Sequence, residues 1–459
     1  MRRRAVITGI GVVTPLGIGI DAFWPRALAG DVAVAATPSH WLTYYRPRST
    51  IWAPLPPLDL AAYRIGRVEA TQLDRCQVIA LSCAWQALES ARLDLALRDA
   101  KKNTFAVTGV DPDGVAVFIG TGVGGISTNT ATFVHHVGTP VVTRLTDFAA
   151  SLREGGLDAE ALRQVDAIRD GLRLPARFNP FSVSMVMPNA PSAVVGIKFG
   201  FHGPNRPGVG ACASGTMALG AALRAVQAGA VPLALAGGVD YLGDDWGGVF
   251  RGFDMLQTLA TCRDDPSTSN RPFDVDRTGF LFAEGGGAVL VVEELEHARR
   301  RGAPVIAEVA GYAETFDGHS MMMMEPSATH IERMVRSALD DAGVSPASID
   351  YVNAHGTGTI LNDQVECAML DRVFGAAPLI NSTKSLVGHT LGASGAIEAV
   401  VTALSLRDQA THASANLETP LADLRFVRSG GPAPMSWALS ESFAFGGHNA
   451  AVVLKALDA

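Results

Sequence analysis

The stretch Val115-Ala116-Val117-Phe118-Ile119-Gly120-Thr121-Gly122 is an apolar run that ends in a Gly-Thr-Gly turn. A stretch of the same form recurs in the second half of the chain, as Ile349-Asp350-Tyr351-Val352-Asn353-Ala354-His355-Gly356-Thr357-Gly358. Each pattern predicts a β-strand that runs into a tight turn, because strands favour β-branched and aromatic residues while turns favour glycine. The repetition predicts two similar halves whose strand ends meet at one shared site.

Apolar strand-like runs alternate with helical patterns along the rest of the chain, which predicts an α/β fold. The predicted strands are 4–10, 114–119, 232–237, 287–293, 304–310, 349–353 and 451–455, and the predicted helices are 71–92, 212–228, 327–342, 361–373 and 393–407. We place the first half at residues 1–265 and the second at 266–459. Residues 123–190 have no counterpart in the second half, so we interpret them as an insertion that could cover the site.

Composition excludes several classes of protein. The chain has 459 residues, more than a single hydrophobic core usually supports. Its net charge of −8 argues against a nucleic-acid partner. The five cysteines are too scattered for a disulfide framework and form no CxxC or Cys/His cluster, so we expect no metal site.

The N-terminus resembles an export signal, since three arginines precede an apolar run. Residues 5–17 contain glycines and a proline, however, which suit a strand that leaves through a turn better than an export helix. No uninterrupted apolar stretch reaches the length that spans a membrane. We therefore expect a soluble cytoplasmic protein.

Cys212 lies in Gly210-Ala211-Cys212-Ala213-Ser214-Gly215, where a turn of small residues enters a predicted helix. The positive end of the helix dipole and its unpaired N–H groups favour thiolate, so we expect a lowered cysteine pKa and a nucleophile. The alternative is a buried cysteine that only packs, which is the usual role of a free cysteine. We assign that packing role to Cys76, Cys83 and Cys367.

Two histidines follow strand or helix boundaries in the second half. His355 ends a predicted strand, where α/β proteins build their sites, and His389 precedes a predicted helix. Lys384, near glutamates such as Glu366 and Glu398, forms either a weak surface ion pair or a group that orients a histidine. One thiol with two imidazoles indicates covalent acyl transfer coupled to carbanion chemistry.

Two further segments allow two interpretations each. Phe443–Asn449 is either an ordinary strand connection or a gate whose backbone N–H binds an oxyanion. The run Met321–Met324 either lines a pocket or fills a core. The glycine-rich turns at Gly9-Ile10-Gly11 and Gly120–Gly125 lack the helix or lysine of nucleotide-binding loops, so we interpret them as turns.

Taken together, these motifs resemble the β-ketoacyl-acyl-carrier-protein synthases of the elongating kind, including the ketosynthases of discrete-subunit polyketide systems. The resemblance covers nearly the whole chain. Its motifs are Val6–Gly17, Gly203-Pro204-Asn205, Ala211–Gly215, Arg271-Pro272-Phe273-Asp274, Asn353–Thr357, Leu361-Asn362-Asp363, Ser382–Ser385, Gly388–Gly395 and Phe445-Gly446-Gly447.

The resemblance implies the thiolase fold, with two halves related by a pseudo-twofold axis in a five-layer αβαβα sandwich, normally as a dimer. It also implies decarboxylative Claisen condensation of an acyl group on Cys212 with a malonyl-acyl-carrier-protein extender. His355 and His389 would stabilise the enolate, supported by Lys384 and Glu366. Phe445 would gate entry and share the oxyanion with the N–H of Cys212. No metal or redox cofactor is expected, because phosphopantetheine on the carrier protein brings the substrates.

Departures from the family pattern predict a specialised ketosynthase, in polyketide or specialised fatty-acid biosynthesis. Gly210 replaces a small hydroxyl residue, Ala444 replaces a glycine of the gate, and His448 adds an imidazole. Alternatives are a housekeeping fatty-acid enzyme, a subunit of a heterodimer with a chain-length-factor-like partner, a thiolase, and a scaffolding protein. The retained thiol and histidines argue against a noncatalytic subunit and a scaffold, and no cysteine after Cys367 provides a thiolase's second thiol.

The expected partner is an acidic acyl carrier protein, and a local basic patch would dock it despite the acidic whole. Arg64 and Arg67 are the candidates for that patch. The alternative is that both are ordinary solvated arginines. We expect neither nucleic acid nor a membrane as a partner.

Overall fold

The computed structural model describes residues 2–42, 45–156, 159–175 and 177–457. The strands are β1 (Ala5–Thr14), β2 (Gly17–Ile18), β3 (Ala35–Ala36), β4 (Ile51–Trp52), β5 (Leu95–Asp99), β6 (Thr104–Val107), β7 (Val115–Gly120), β8 (Asn205–Arg206), β9 (Leu233–Tyr241), β10 (Gly285–Glu294), β11 (Ala307–Phe316), β12 (Tyr351–Asn353), β13 (Leu379–Asn381), β14 (Ala410–Thr411), β15 (Gly431–Pro432), β16 (Trp437–Phe443) and β17 (His448–Lys455). The helices are α1 (Ile20–Ala29), α2 (Arg67–Ala70), α3 (Arg75–Ser90), α4 (Ile126–Glu154), α5 (Ala159–Gly171), α6 (Ser182–Val186), α7 (Ala190–Phe199), α8 (Ser214–Gln227), α9 (Gly248–Met255), α10 (Leu295–Arg300), α11 (Thr329–Ala342), α12 (Ile360–Phe374), α13 (Lys384–Val387) and α14 (Ser394–Asp408).

The main sheet consists of two halves with the same topology. The first half has the strand order β8-β7-β9-β10-β1 and the second has β13-β12-β16-β17-β11. In each half the first three strands are parallel and the next two pairings are antiparallel. Strands β1 and β11 occupy equivalent positions and pair antiparallel with each other, which joins the halves. This arrangement confirms the predicted pseudo-twofold relation.

Helices form the remaining layers. Helix α3 covers the outer face of the first half of the sheet, and α11 covers that of the second half. Between the halves lie α8 and α14, each of which contacts strands of both. The order is therefore helix, sheet, helix, sheet, helix, and it confirms the predicted five-layer sandwich.

The two central helices meet at glycines. A Cβ on Gly215 would lie 2.5 Å from the backbone nitrogen of Ala396, and one on Gly395 would lie 2.1 Å from Oγ1 of Thr216. Because real Cβ atoms do not approach that closely, only glycine permits this crossing. Helix α14 is buried on all sides from Ser394 to Leu406, as expected of a helix in a central layer.

The predicted strands and helices are present, with ends that differ by a few residues, as usual for such predictions. Strand β16 was not predicted. The segment 123–190 is mostly helical, through α4, α5 and α6. None of its described residues lines the cavity at Cys212, and residues 170, 171 and 173 line a separate cavity beside Trp41. Its role as a cover for the site stays a prediction. The boundary proposed near residue 265 stays a prediction.

Candidate active site

Cys212 lies in a 3₁₀ turn, Ala211–Ala213, that leads directly into α8. Ala211 has a left-handed φ of 46°, which turns the chain sharply before the helix. The second half contains an equivalent turn, in which Leu391 has a left-handed φ of 48° in a 3₁₀ turn before α14. Cys212, the middle residue of the turn, is buried. Two equivalent turns therefore face each other across the pseudo-twofold axis.

His389 contacts the thiol directly. Its Nε2 lies 3.2 Å from Sγ of Cys212, and its Nδ1 lies 3.0 Å from Oγ of Ser394. The Phe280 ring packs edge-on against the imidazole, with centroids 5.3 Å apart. Since a serine hydroxyl both donates and accepts, it can hold His389 in either neutral tautomer.

His355 provides the second imidazole. It follows β12, and its ring lies perpendicular to that of His389, with centroids 5.6 Å apart. The ammonium of Lys384 lies 3.2 Å from Nδ1 of His355 and also donates to the His355 carbonyl at 2.6 Å. Because an ammonium can only donate, Nδ1 accepts and Nε2 carries the proton. His355 is therefore fixed as a donor from Nε2.

Buried carboxylates surround Lys384. Glu398 accepts a hydrogen bond from the ammonium, and both side chains are excluded from solvent. Glu366 instead accepts from the backbone N–H groups of His355, at 2.6 Å, and Gly356, at 2.8 Å. Thus Lys384 and Glu366 fix His355 from two sides, one at the ring and one at the backbone.

The electrostatics favour neutral groups. Burial, reinforced by the Lys384 charge, holds the pKa of His355 and of His389 well below the ordinary value. Burial raises the pKa of Cys212 to about 12, although Lys384 and the backbone N–H of Phe445 oppose the rise. The expected lowering of the cysteine pKa is therefore wrong for this state, because desolvation outweighs the helix terminus. The resting site holds a thiol and two neutral imidazoles.

Phe445 stands beside the nucleophile. Its backbone N–H and that of Cys212 both interact with the thiol. Its ring stacks on Phe253, with centroids 6.2 Å apart. The turn is held by Gly446, whose N–H donates to the Met321 carbonyl at 2.9 Å and whose φ is 85°. Both backbone N–H groups are thus directed at the same sulfur atom.

A cavity of about 340 Å³ gives access to these groups. Its lining residues come from both halves and, among the described residues, include no Lys, Arg, Asp or Glu. They are Cys212, Gln257, Thr258, Thr278, Gly279, Phe280, Met322, Met323, Met324, His355, Thr357, Thr359, Ile360, Leu361, Asn362, His389, Phe443, Ala444 and Phe445. Met322–Met324 thus line the cavity, and Met324 also packs against the core of the second half.

The structure brings together most of the predicted site residues. Cys212, His355, His389 and Phe445 share the cavity, while Lys384, Glu366 and Glu398 lie buried behind His355. His448 is not among the lining residues; its ring contacts Phe316 instead.

The two arginines proposed for carrier docking also lie apart from the cavity. Arg64 lines a different depression, next to Trp85 and Phe105, and Arg67 begins α2. Neither lines the cavity at Cys212.

Asp240 and Ser394 were not predicted. The carboxylate of Asp240 accepts from the N–H of Gly122 at 2.9 Å and of Gly392 at 2.7 Å, so it ties the turns of the two halves together. Asp240 lies near the end of a buried, glycine-rich strand, and this position could have identified it as a site residue from the sequence. Ser394 lies on the first turn of α14, but its hydrogen bond to His389 depends on tertiary placement.

Glu441 was not predicted either. It is fully buried on β16, and among the described residues no donor other than a protonated Glu366 is available to its carboxyl oxygens. Burial and the neighbouring carboxylate of Glu366 raise the pKa of Glu441 well above its ordinary value. When either Glu366 or Glu441 carries a proton, the two carboxyl groups can hydrogen bond to each other.

Comparison with known families agrees with this geometry. The family description "Beta-ketoacyl synthase, N-terminal domain" matches residues 2–298, and "Beta-ketoacyl synthase, C-terminal domain" matches residues 306–418. The chain belongs to the β-ketoacyl synthase family. It is accordingly a condensing enzyme and an acyltransferase, as predicted.

Individual β-ketoacyl synthases are similar over the whole chain. The 3-oxoacyl-[acyl-carrier-protein] synthase 2 of Staphylococcus aureus (strain COL) is 33% identical, and the match covers 100% of this chain and 99% of the relative. A solved type II PKS acyl-carrier protein in complex with its ketosynthase bound to the hexaketide contains a chain 25% identical, with a TM-score of 0.79 and full coverage of both chains. The ishigamide ketosynthase/chain length factor is 25% identical, with a TM-score of 0.80 and full coverage.

These relatives include a 3-oxoacyl-[acyl-carrier-protein] synthase 2 and a type II PKS ketosynthase, so membership of the β-ketoacyl synthase family does not assign the pathway. Within the part of the chain that the structure describes, no helix combines the length and the apolar character needed to cross a membrane.

Proposed function

We propose that Cys212 accepts an acyl group from a carrier-bound thioester and that His355 and His389 then direct decarboxylation of a malonyl thioester. The observation that carries the proposal is the 3.2 Å contact between Cys212 Sγ and His389 Nε2, with a second neutral imidazole facing the first. A thiol, a base and two donors around one uncharged cavity suit thioester chemistry.

The first half-reaction is acyl transfer. Nε2 of His389 accepts the thiol proton as Sγ of Cys212 attacks the thioester carbonyl, and the backbone N–H groups of Cys212 and Phe445 bind the oxyanion. The bond from carbon to the carrier sulfur then breaks. The departing thiolate takes the proton from His389, so the carrier leaves as a thiol and no net proton is consumed.

The second half-reaction makes the carbanion. Before this step His389 exchanges its proton from Nδ1 to Nε2, a tautomer that the Ser394 hydroxyl also accommodates. The malonyl thioester carbonyl then accepts hydrogen bonds from Nε2 of His355 and of His389. The bond to the malonyl carboxylate breaks, carbon dioxide leaves, and the electron pair forms an enolate held by the two donors. Neutral imidazoles suit this step, because each retains a lone-pair nitrogen for its own buried partner while donating from the other.

Carbon–carbon bond formation completes the cycle. The enolate carbon attacks the acyl carbonyl on Cys212, and the same two backbone N–H groups bind the new oxyanion. The carbon–sulfur bond to Cys212 breaks, which releases the β-ketoacyl carrier product. Cys212 leaves as a thiolate and recovers one proton from water.

Intact-protein mass spectrometry tests the assignment. The protein is incubated with acyl-carrier proteins that carry a set of starters, and the attached mass identifies the acyl group. The expected result is one acyl group per chain, lost in Cys212→Ala and kept in Cys367→Ala, a matched buried cysteine outside the cavity. Attachment that survives Cys212→Ala, or none with any starter, refutes the proposal.

We further propose that all reaction steps use the chain's own groups, with phosphopantetheine as the only carrier of substrate. The uncharged cavity supports this, since Cys212, His355 and His389 supply the required nucleophile and donors. Full turnover in protein dialysed against chelator is the expected outcome. A loss of activity that added metal restores would contradict it.

The pathway is a separate proposal. We propose a specialised ketosynthase, supported by Ala444 in place of a gate glycine and by the Met322–Met324 wall of the cavity. The test is expression in a bacterium that lacks its fatty-acid elongating synthase. We expect no rescue; efficient rescue indicates the housekeeping role instead.

We also propose that the chain functions as a dimer, either with itself or with a chain-length-factor-like subunit. Support comes from the short edge strand β8, whose residues are exposed, and from exposed apolar side chains at Met187, Ile197 and Val209. Native mass spectrometry distinguishes the two forms. A stable monomer with full activity would exclude both.

A further inference from the structure

Two buried carboxyl groups contact each other behind the active site, that of Glu441 on β16 and that of Glu366 on α12. Both side chains are excluded from solvent, and the two carboxyl groups are in hydrogen-bonding contact. An ionised carboxylate only accepts hydrogen bonds, so two carboxylates cannot bond to each other. The contact therefore requires a proton on one of the two groups.

The other partners of each residue decide where this proton resides. Glu366 accepts from three N–H donors, the backbone of His355 and of Gly356 and the side chain of Asn362. Among the described residues, no donor other than a protonated Glu366 is available to Glu441. Donors favour the ionised form of the carboxyl group that accepts from them. Glu366 is thus the carboxylate, and Glu441 is the carboxylic acid that donates to it.

The surrounding charges oppose a second ionisation. The charged groups that act on Glu441 are Glu366, Lys384 on α13 and Glu398 on α14, and the pair of Asp363 and Arg277 lies beyond Glu366. The Lys384 ammonium is bonded to Glu398 and neutralises that carboxylate first. An ionised Glu441 would therefore be buried without a cation of its own, which is costly. Burial and the neighbouring carboxylate raise the pKa of Glu441 well above its ordinary value.

Glu366 in turn controls the position of a reacting group. One of its oxygens accepts from the N–H of His355 at 2.6 Å and the other from the N–H of Gly356 at 2.8 Å, so Glu366 holds the backbone that carries the imidazole. If Glu441 lost its proton, two buried carboxylates would repel each other across their contact. Glu366 would then be pushed from these N–H groups, and the imidazole would lose its fixed position.

We propose that Glu441 is a positioning residue, whose carboxylic acid donates to Glu366 and so keeps His355 in place for decarboxylation. This inference rests on the proposed function, because it assumes that His355 acts on a malonyl thioester. It predicts an alkaline limit to the reaction: the positioning is present while Glu441 is protonated and is lost as the pH rises through its folded-state pKa.

The test compares the full-length parent with Glu441→Gln, Glu441→Leu and a control, Glu293→Gln. Glutamine keeps a donor for Glu366 at every pH, because its amide N–H does not titrate, whereas leucine removes the donor and adds no charge. Glu293 is the matched control, since it is equally buried but lies on β10, bonded to Thr8 and Arg301. Release of labelled carbon dioxide from malonyl-pantetheine is measured across a pH series for each protein.

The parent and the control should lose rate along the same alkaline limb, and Glu441→Gln should move that limb upward by about one pH unit or more. Glu441→Leu should lower kcat about tenfold or more with little change in KM, because a loosely held donor is misplaced in the bound complex. An alkaline limb of Glu441→Gln that coincides with that of the parent overturns the inference. So does a folded Glu441→Leu with the kcat of the parent.

Infrared spectroscopy adds a readout that does not depend on turnover. The C=O stretch of a protonated carboxyl group should be present in the parent, disappear at high pH and be missing from Glu441→Gln; identical spectra of the two proteins overturn the inference. A parent rate that depends on added potassium, when the rate of Glu441→Gln does not, shows that a cation and not a proton balances Glu441, and it overturns the inference as well.

Failure of this inference is distinguishable from failure of the proposed function. If the parent releases carbon dioxide but substitution of Glu441 leaves the pH profile unchanged, the proposed function stands and the positioning role is wrong. If the parent releases no carbon dioxide at any pH, the proposed function fails and the positioning role fails with it, while the infrared band still reports the proton on Glu441.

Discussion

Replacing His355 by alanine should separate the two half-reactions. In the proposed mechanism His355 offers one of the two N–H donors for the enolate, whereas His389 is the imidazole in contact with Cys212 Sγ. Removing one preorganised donor from a buried site costs about 100- to 1000-fold in rate, or roughly 3–4 kcal/mol. We therefore expect decarboxylation of malonyl carrier to fall by that factor while acylation of Cys212 stays within about threefold of the parent.

The two rates are measured on the same protein samples, as release of labelled carbon dioxide and as growth of the acyl-enzyme mass. His412→Ala is the matched control, because His412 is also fully buried but lies outside the cavity, against Thr383 and Ala413. It should leave the ratio of the two rates unchanged. Parallel loss of both rates in His355→Ala, with the control intact, would refute the division of roles between the histidines.

Three more variants probe the buried charges and the helix crossing. Lys384→Met removes a positive charge that lowers the pKa of His355 and of His389, so both pKa values should rise. The acid limb of the decarboxylation pH–rate profile should therefore move to higher pH. A limb that stays in place counts against this electrostatic role of Lys384. The pKa of Glu441 is higher in the folded state than in the unfolded state, so its carboxyl group destabilises the fold once the pH rises above the unfolded-state pKa of about 4.5. Glu441→Gln should therefore become more stable relative to the parent as the pH rises. Urea unfolding at pH 5 and pH 8 checks this trend. Gly215→Val should cost about 1–3 kcal/mol or more through overpacking against Ala396, with a lower Tm in calorimetry; a Tm equal to the parent's would show that the helices separate freely.

The two halves and the reactive groups could be predicted from the sequence because short local patterns mark them. A strand with a glycine turn at 115–122 and again at 349–358, and helices after Cys212 and His389, follow from patterns of a few residues. The resemblance to known condensing enzymes then implied the layer order. Short elements such as β16 were missed because a seven-residue buried strand has no distinctive periodicity.

Other features depend on tertiary placement. Desolvation of Cys212 arises from side chains such as Phe280 and Phe282 that are distant in sequence, so the helix-terminus argument alone gave the wrong direction for the thiol pKa. Likewise, nothing near Arg64 in the chain indicates how it lies relative to the cavity. The contact of Glu441 with Glu366 joins a strand to a helix and has no local signature.

The antiparallel seam between β1 and β11 has a consequence for biosynthesis. Because the sulfur and the imidazoles come from opposite sides of that seam, a growing polypeptide that has emerged only through β9 holds an unassisted thiol. Acyl donors in the cell then meet a competent catalyst only after the final strands have closed the second side. Acylation that depends on the imidazoles therefore begins only after the second half of the chain has folded onto the first.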